Sequence, residues 1–85
     1  MDRKSIFNKV QDIFREIFAD ETLKISDKMT ANDLESWDSI MHINLMEAVQ
    51  DEFNILFDFD EIAEMVEVND IISAVSNKVE EIKKI

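Results

Sequence analysis

Residues 38–53 read DSIMHINLMEAVQDEF, a strongly patterned apolar run that opens on a polar pair. Side chains that can pack together recur in it at steps of three and four, the spacing that places them on one helix face: His42, Leu45, Met46, Val49 and Phe53. Asp38 is a candidate N-cap, because its carboxylate can accept from a backbone N–H that no helical carbonyl reaches. The pattern predicts a helix that runs to about Glu52, with Ser39 in its first turn and away from the apolar face.

Ser39 is the first candidate functional residue. A helix start carries partial positive charge and unpaired N–H groups, so it favours an attached or bound phosphate by about 0.3 to 1 kcal/mol at an exposed site. Taken alone, a serine that follows an aspartate at a helix start is usually structural, because these residue types favour caps. The rest of the chain decides between the two interpretations.

The chain before this helix divides into one further helix and a loop. Residues 3–18 carry a broad apolar stripe with charged side chains on the other faces, which predicts an amphipathic helix. Residues 19–37 lack that period and are rich in Asp, Thr, Ser and Asn, which favour turns over helix interiors. We expect a long loop there, with one helical turn at Thr30–Leu34 and four apolar tethers to the core: Leu23, Ile25, Met29 and Leu34.

Two more helices are predicted after it. Asn54 is a plausible helix stop, because Asn tolerates the left-handed conformation when no glycine is available. Asp58 or Asp60 can cap a short third helix, and Asn69 or Asp70 a last one whose apolar positions are Ile71 or Ile72, Val75, Val79 and Ile82. The predicted core includes Phe14, Ile17, Leu45, Val49 and Phe53. The fold class is therefore all-α: one domain over residues 1–85, a small four-helix bundle with three longer helices, one short helix and a long first loop.

Composition excludes several classes of function. The 85 residues hold 20 acidic and 9 basic side chains, a net charge of -11, so a nucleic-acid partner is not expected. Cysteine is absent, which excludes disulfides, thiolate metal sites and a cysteine nucleophile. Glycine is absent too, which disfavours glycine-rich phosphate loops. No uninterrupted apolar stretch suggests a signal peptide or a membrane span, so we expect a cytoplasmic protein. We also expect a monomer.

The segment Asp38-Ser39-Ile40, with a helix that ends near Glu52-Phe53, resembles the Asp-Ser-Leu segment of acyl carrier proteins, with Ile in place of Leu. The helix layout and the acidic composition extend this resemblance over most of the chain. In that family the serine hydroxyl carries 4'-phosphopantetheine. The resemblance implies an arm on Ser39, with Asp38 beside it, attached by a phosphopantetheinyl transferase. The arm would hold an acyl or aminoacyl cargo as a thioester in a lipid or specialised biosynthetic pathway, and the chain itself would not be an enzyme.

Carrier proteins use the serine helix to meet their enzymes, so its outer face inherits that role by position. The expected docking residues are Ile40, Met41, Asn44, Glu47 and Asp51, together with Trp37 beside the serine. The expected partners are acyl-activating and acyl-transferring enzymes with basic docking surfaces. Met41 and Asn44 stand where fatty-acid-synthesis carriers resemble one another in carrying acids, which favours a specialised pathway. Trp37 has a second interpretation, which we favour, as a loop anchor packed on the core.

Other interpretations of these residues are weaker. Asp38, Ser39 and His42 could suggest a hydrolase triad, but the glycine elbow and an oxyanion hole are missing, and His42 fits a half-buried packing residue better. The acidic run Asp58–Glu67 lacks the spacing of a calcium loop and fits a solvated face, so no metal is expected. The alternative function is a cofactor-free acidic helical module that docks a protein partner through Ile40 and Met41.

Overall fold

The computed structural model describes residues 2–83, with side chains as far as Glu80. Four helices make up this part of the chain: α1 (Arg3–Ile17), α2 (Ser39–Phe53), α3 (Phe59–Glu64) and α4 (Val68–Lys83). The described residues contain no strand, and none of their helices is long and apolar enough to cross a membrane. The predicted all-helical bundle, with three longer helices and one short one, is confirmed.

The core forms where α1 packs against α2 and α4. Three of the five predicted core residues are buried there, namely Phe14, Leu45 and Val49. Ile17 and Phe53 are only half-buried and pack against the edge of the core. The sequence left open whether Ile71 or Ile72 faces the core, and in the structure both are fully buried. Val79 packs against the same cluster, and the predicted Ile82 side chain lies outside the described residues.

The ends of α2 and α3 follow the predicted caps. The Asp38 carboxylate accepts from the Met41 N–H at 2.9 Å, so α2 begins at Ser39. Asn54 ends that helix in the left-handed region, with φ 55° and ψ 50°. Asp58 is the N-cap of α3, and the Glu61 carboxylate accepts from its N–H at 3.0 Å.

The predicted start of the last helix is wrong. Neither Asn69 nor Asp70 is its cap, because α4 already begins at Val68, whose side chain is fully buried. Burial of Val68 thus outweighs the preference of Asn and Asp for the cap position. The Asp70 carboxylate instead reaches back from the first turn and accepts from the N–H groups of Val66 at 3.0 Å and Glu67 at 2.9 Å.

The long loop between α1 and α2 is held at many points. Ile25 is buried, and Leu23, Met29 and Leu34 are half-buried against the core, as predicted. Its main chain is tied to α1 and α4: the Arg15 guanidinium donates to the Leu23 carbonyl at 2.7 Å, and the Val68 N–H donates to the Met29 carbonyl at 2.9 Å.

The helical turn predicted at Thr30–Leu34 is not assigned as helix. A hydrogen-bonded turn stands there, in which the Asp33 N–H donates to the Thr30 carbonyl at 2.9 Å. The Asp33 carboxylate also accepts the Thr30 N–H at 3.0 Å, so a side chain as well as the main chain holds the turn. This turn places residues 30–32 beside the start of α2.

Candidate functional site

Ser39 is exposed and is the first residue of α2. Asp38 fixes that position, because its carboxylate caps the helix and its carbonyl accepts the His42 N–H at 2.8 Å. The N–H groups of Ser39 and Ile40 belong to the first turn, where no helical carbonyl is available to accept them. The site therefore combines an exposed hydroxyl with the positive end of a helix.

Ser39 lies on the wall of an open cleft of about 530 Å³. One side of this cleft is the loop at residues 30–32, a second is the start of α2 as far as Ile43, and the third runs from Phe59 along α3 to Val66. The volume falls within the range of small-molecule sites, roughly 300 to 1,000 Å³. The serine that the sequence singles out thus faces a space large enough for a ligand or a partner's side chain.

Two hydrogen bonds through His42 tie the walls of this cleft together. The Trp37 indole N–H donates to His42 Nδ1 at 3.1 Å, and His42 Nε2 lies 3.1 Å from the Ile62 carbonyl oxygen. An indole nitrogen can only donate, so Nδ1 must accept and the proton sits on Nε2, which donates to the carbonyl. The neutral imidazole thereby joins the loop, α2 and α3.

Trp37 is 5% exposed and packs edge-to-face on Phe14, with ring centroids 5.3 Å apart. Its other neighbour is the His42 ring, stacked at 6.0 Å. Such burial leaves almost no surface for a partner, which corrects the inclusion of Trp37 among the docking residues. It supports the role of loop anchor instead.

Asp38, Ser39 and His42 do not form a catalytic triad. Both ring nitrogens of His42 already have partners, so neither can accept a proton from the Ser39 hydroxyl without breaking a hydrogen bond. The Asp38 carboxylate accepts from Met41 and does not orient the imidazole. His42 is half-buried, in line with its predicted packing role.

The predicted docking residues on α2 are mostly accessible. Ile40, Asn44, Glu47 and Asp51 are exposed, whereas Met41 is half-buried. Glu47 and Asp51 border a second, more polar depression near Leu56, away from Ser39. The structure therefore leaves Ile40, Met41 and Asn44 near the serine and places the two acids further along the helix.

Three exposed apolar side chains beside Ser39 were missed in the sequence: Ile43, Phe59 and Val66. Ile43 lies four residues after Ser39, a spacing that puts both on one helix face and could have identified it. Phe59 is the first residue of α3 and Val66 lies just after its end, so no helical period relates either residue to Ser39. Only the packing of α3 reveals that they remain outside the core.

The acidic run near α3 serves local structure. Glu61 accepts from the Asp58 N–H and forms an ion pair with Lys78 at 3.2 Å, and together these hold the pKa of its carboxyl below its usual range. Within residues 2–83, no group of His, Asp and Glu side chains is arranged to hold a metal ion. The sequence predicted a solvated acidic face, and the pairing of Glu61 with Lys78 was not predicted.

The similarity of this chain to known proteins lies in solved structures. No protein-family model matches the chain, and neither does any curated protein. Solved structures do match, and two of them are acyl carrier proteins. A holo acyl carrier protein from Geobacter metallireducens superposes with a TM-score of 0.86 at 26% identity, covering 93% of this chain and 91% of its own. An acyl carrier protein from Thermotoga maritima superposes with a TM-score of 0.84 at 32% identity, covering 96% of this chain and 95% of its own.

The identity of 32% extends over nearly the full length of both chains. It accompanies the Asp-Ser segment, the four-helix layout and the long first loop. The cofactor-free interaction module is not favoured by this likeness. The chain belongs to the acyl carrier protein family, whose members are carriers and not enzymes.

Proposed function

We propose that the chain carries acyl or aminoacyl groups as thioesters on a 4'-phosphopantetheine arm attached to Ser39. The observation that carries this proposal is the exposed Ser39 hydroxyl at the first position of α2, in a chain that belongs to the acyl carrier family. The Geobacter metallireducens relative is described as a holo carrier, which supports a prosthetic group in this fold.

The residues around Ser39 fit a phosphodiester. The hydroxyl is accessible, and the helix start favours an attached phosphate by about 0.3 to 1 kcal/mol. Asp38 contributes by position, because its cap to Met41 holds Ser39 at the helix end. When bound, the arm supplies the thiol that a thioester needs, and the chain has no cysteine to supply one itself.

The proposed partners are a phosphopantetheinyl transferase and the acyl-activating and acyl-transferring enzymes of one pathway. A net charge of -11 steers basic surfaces toward the carrier and raises the rate of encounter. Met41 and Asn44, which replace acids at the docking face, support a specialised pathway over general fatty-acid synthesis. We propose that residues 1–85 act as one carrier domain.

The test is intact mass after incubation with coenzyme A, magnesium and a broad-specificity phosphopantetheinyl transferase. Three proteins are compared: the parent chain, Ser39→Ala, and Ser36→Ala, which removes an exposed serine three residues earlier. The parent and Ser36→Ala should each gain one phosphopantetheine mass and Ser39→Ala none, with circular dichroism to confirm that all three are folded. An unmodified parent, with the transferase active on a control carrier, would overturn the proposal, and so would modification of Ser39→Ala.

A further inference from the structure

The floor of the Ser39 cleft separates it from the core. Two of the residues that line the cleft are themselves buried, Trp37 at 5% exposure and Met65 at 7%. Behind Trp37 lies the fully buried Phe14, whose ring meets the indole edge-to-face at a centroid distance of 5.3 Å. A group that enters the cleft from Ser39 therefore meets the Trp37 ring before it can reach the interior of the bundle.

His42 closes the passage between α2 and α3. Its Nδ1 accepts the Trp37 indole N–H at 3.1 Å, and its Nε2 lies 3.1 Å from the Ile62 carbonyl oxygen. The Ile62 side chain packs against the core from the α3 side. A chain that passed between the two helices would have to displace the imidazole, and it would leave the buried indole donor without a partner, which is unfavourable.

We propose that this connection from Trp37 through His42 to Ile62, the His42 bridge, keeps the carried group out of the core, so that the chain carries short or polar acyl groups, aminoacyl groups among them. The inference rests on the proposed function, because it takes Ser39 as the attachment point of the arm. A long alkyl chain that cannot enter the core forgoes the burial that favours its uptake. A short or polar group loses little by remaining in the cleft, where water reaches it.

The walls of the cleft suit a group of this class. The cleft is open, with a volume of about 530 Å³, and its loop side presents the polar side chains of Thr30 and Asn32. An alkyl chain would find apolar contact on the opposite side, where Ile43 and Phe59 stay 55% and 80% exposed. A chain that lay there would remain in contact with water along its length. The cleft therefore offers hydrogen-bonding groups to a polar cargo but no enclosed space to a long one.

The experiment attaches an acetyl or a decanoyl phosphopantetheine arm to the chain, using the corresponding acyl-coenzyme A and a broad-specificity transferase. Methyl NMR then locates the acyl group. Met46 and Val49 are buried in the core and do not line the cleft, whereas Ile43 and Val66 do line it. We expect the Met46 and Val49 signals to coincide in the two products, with any differences confined to Ile43 and Val66. Core signals that the decanoyl group alone displaces would overturn the inference.

Two variants test the bridge itself. His42→Ala removes the imidazole from the passage, and Asn44→Ala is the matched control at an exposed position on the same helix. The decanoyl group should displace the Met46 and Val49 signals in His42→Ala and leave them unchanged in Asn44→Ala. Trp37→Phe, which places a smaller ring in the floor, serves if His42→Ala does not fold. Unchanged core signals in a folded bridge variant would overturn the assignment of the barrier to the bridge.

The rate at which hydroxylamine cleaves the thioester is the second readout. Each methylene group taken into an apolar interior favours uptake by about fourfold, so a decanoyl group held in the core would slow cleavage by more than about tenfold relative to acetyl. We expect the two rates in the parent to agree within about twofold, because a group left in water gains no protection from its length. A chain that is never loaded from coenzyme A itself would refute the proposed function. A chain that is loaded but protects its decanoyl thioester would refute only this inference.

Discussion

Removal of the imidazole at position 42 should destabilise the fold mainly through Trp37. In His42→Leu the indole N–H, on a ring that is 5% exposed, loses its acceptor. A buried donor without a partner costs about 1 to 3 kcal/mol. The Ile62 carbonyl also loses a donor, but it still accepts the Met65 N–H at 3.3 Å, so its share of the cost is small.

Trp37→Phe makes the complementary change, since it keeps an aromatic ring against Phe14 and removes the donor. His42 is half-buried, so water can reach Nδ1 after the indole is removed. The free energy of unfolding should therefore fall by the net contribution of one hydrogen bond, about 0.5 to 1.5 kcal/mol, plus the packing lost with the smaller ring. In the double variant no orphaned donor remains. The two single losses should therefore sum to about 1 kcal/mol more than the double loss, within the range seen for residues in contact.

The assay is urea unfolding followed by circular dichroism for the parent, both single variants and the double variant. Trp37 is the only tryptophan, so its fluorescence gives a second, local signal for the parent and His42→Leu. Asn44→Leu is the control: it makes a similar change at an exposed position on the same helix and should stay within about 0.5 kcal/mol of the parent. Single losses that add within about 0.3 kcal/mol, the scatter expected of independent sites, would refute the hydrogen bond between Trp37 and His42.

Three further outcomes are expected from thermal melts. Asp38→Ala should lose about 1 kcal/mol with its cap, and so lower the Tm by roughly 4 to 8 °C; an unchanged Tm would mean that the cap is not made. Glu61 has a lowered pKa because it accepts the Asp58 N–H and pairs with Lys78, so its contribution to stability is full above pH 4.5 and is lost as the pH falls through the lowered value. Over that acid range the Tm of Glu61→Gln should therefore fall less than the Tm of the parent. Equal slopes of Tm against pH in the two proteins would contradict this account. Sodium chloride should raise the Tm of a chain with a net charge of -11, because it screens repulsion between the acidic side chains. A Tm that stays constant or falls with added salt would show that this repulsion does not limit stability.

The sequence predicts those features that depend on local hydrogen bonds. Asp38 and Asn54 mark the ends of α2 because a cap carboxylate and a left-handed residue act within one turn of the helix they bound. The start of α4 could not be found this way, because the burial of Val68 depends on helices distant in sequence. Local polarity pointed to Asn69 and Asp70, and tertiary packing overrode it.

The candidate site shows the same division. Ser39 is identifiable from its neighbours in the chain, and Ile43 shares its helix face. The bridge from Trp37 through His42 to Ile62 is not visible in any spacing, since it joins a loop, a helix and a second helix 20 residues further on. Periodicity shows which side chains share a face, but not which face the rest of the fold covers, so it could not show that Phe59 and Val66 stay exposed.

The two helices that line the cleft differ in how much apolar side-chain surface holds them to the core. The α2 wall belongs to a helix with Leu45, Met46 and Val49 in the core, whereas α3 has no buried residue. The described contacts that hold α3 include the hydrogen bond from His42 to Ile62, the ion pair between Glu61 and Lys78, packing of the half-buried Ile62 side chain against the core, and burial of the flanking Phe57 and Met65. Elements with few buried apolar contacts open at the lowest free energy. We therefore expect α3 to be the wall that moves first, which would widen the space beside Ser39 while Leu45, Met46 and Val49 keep α2 in the core.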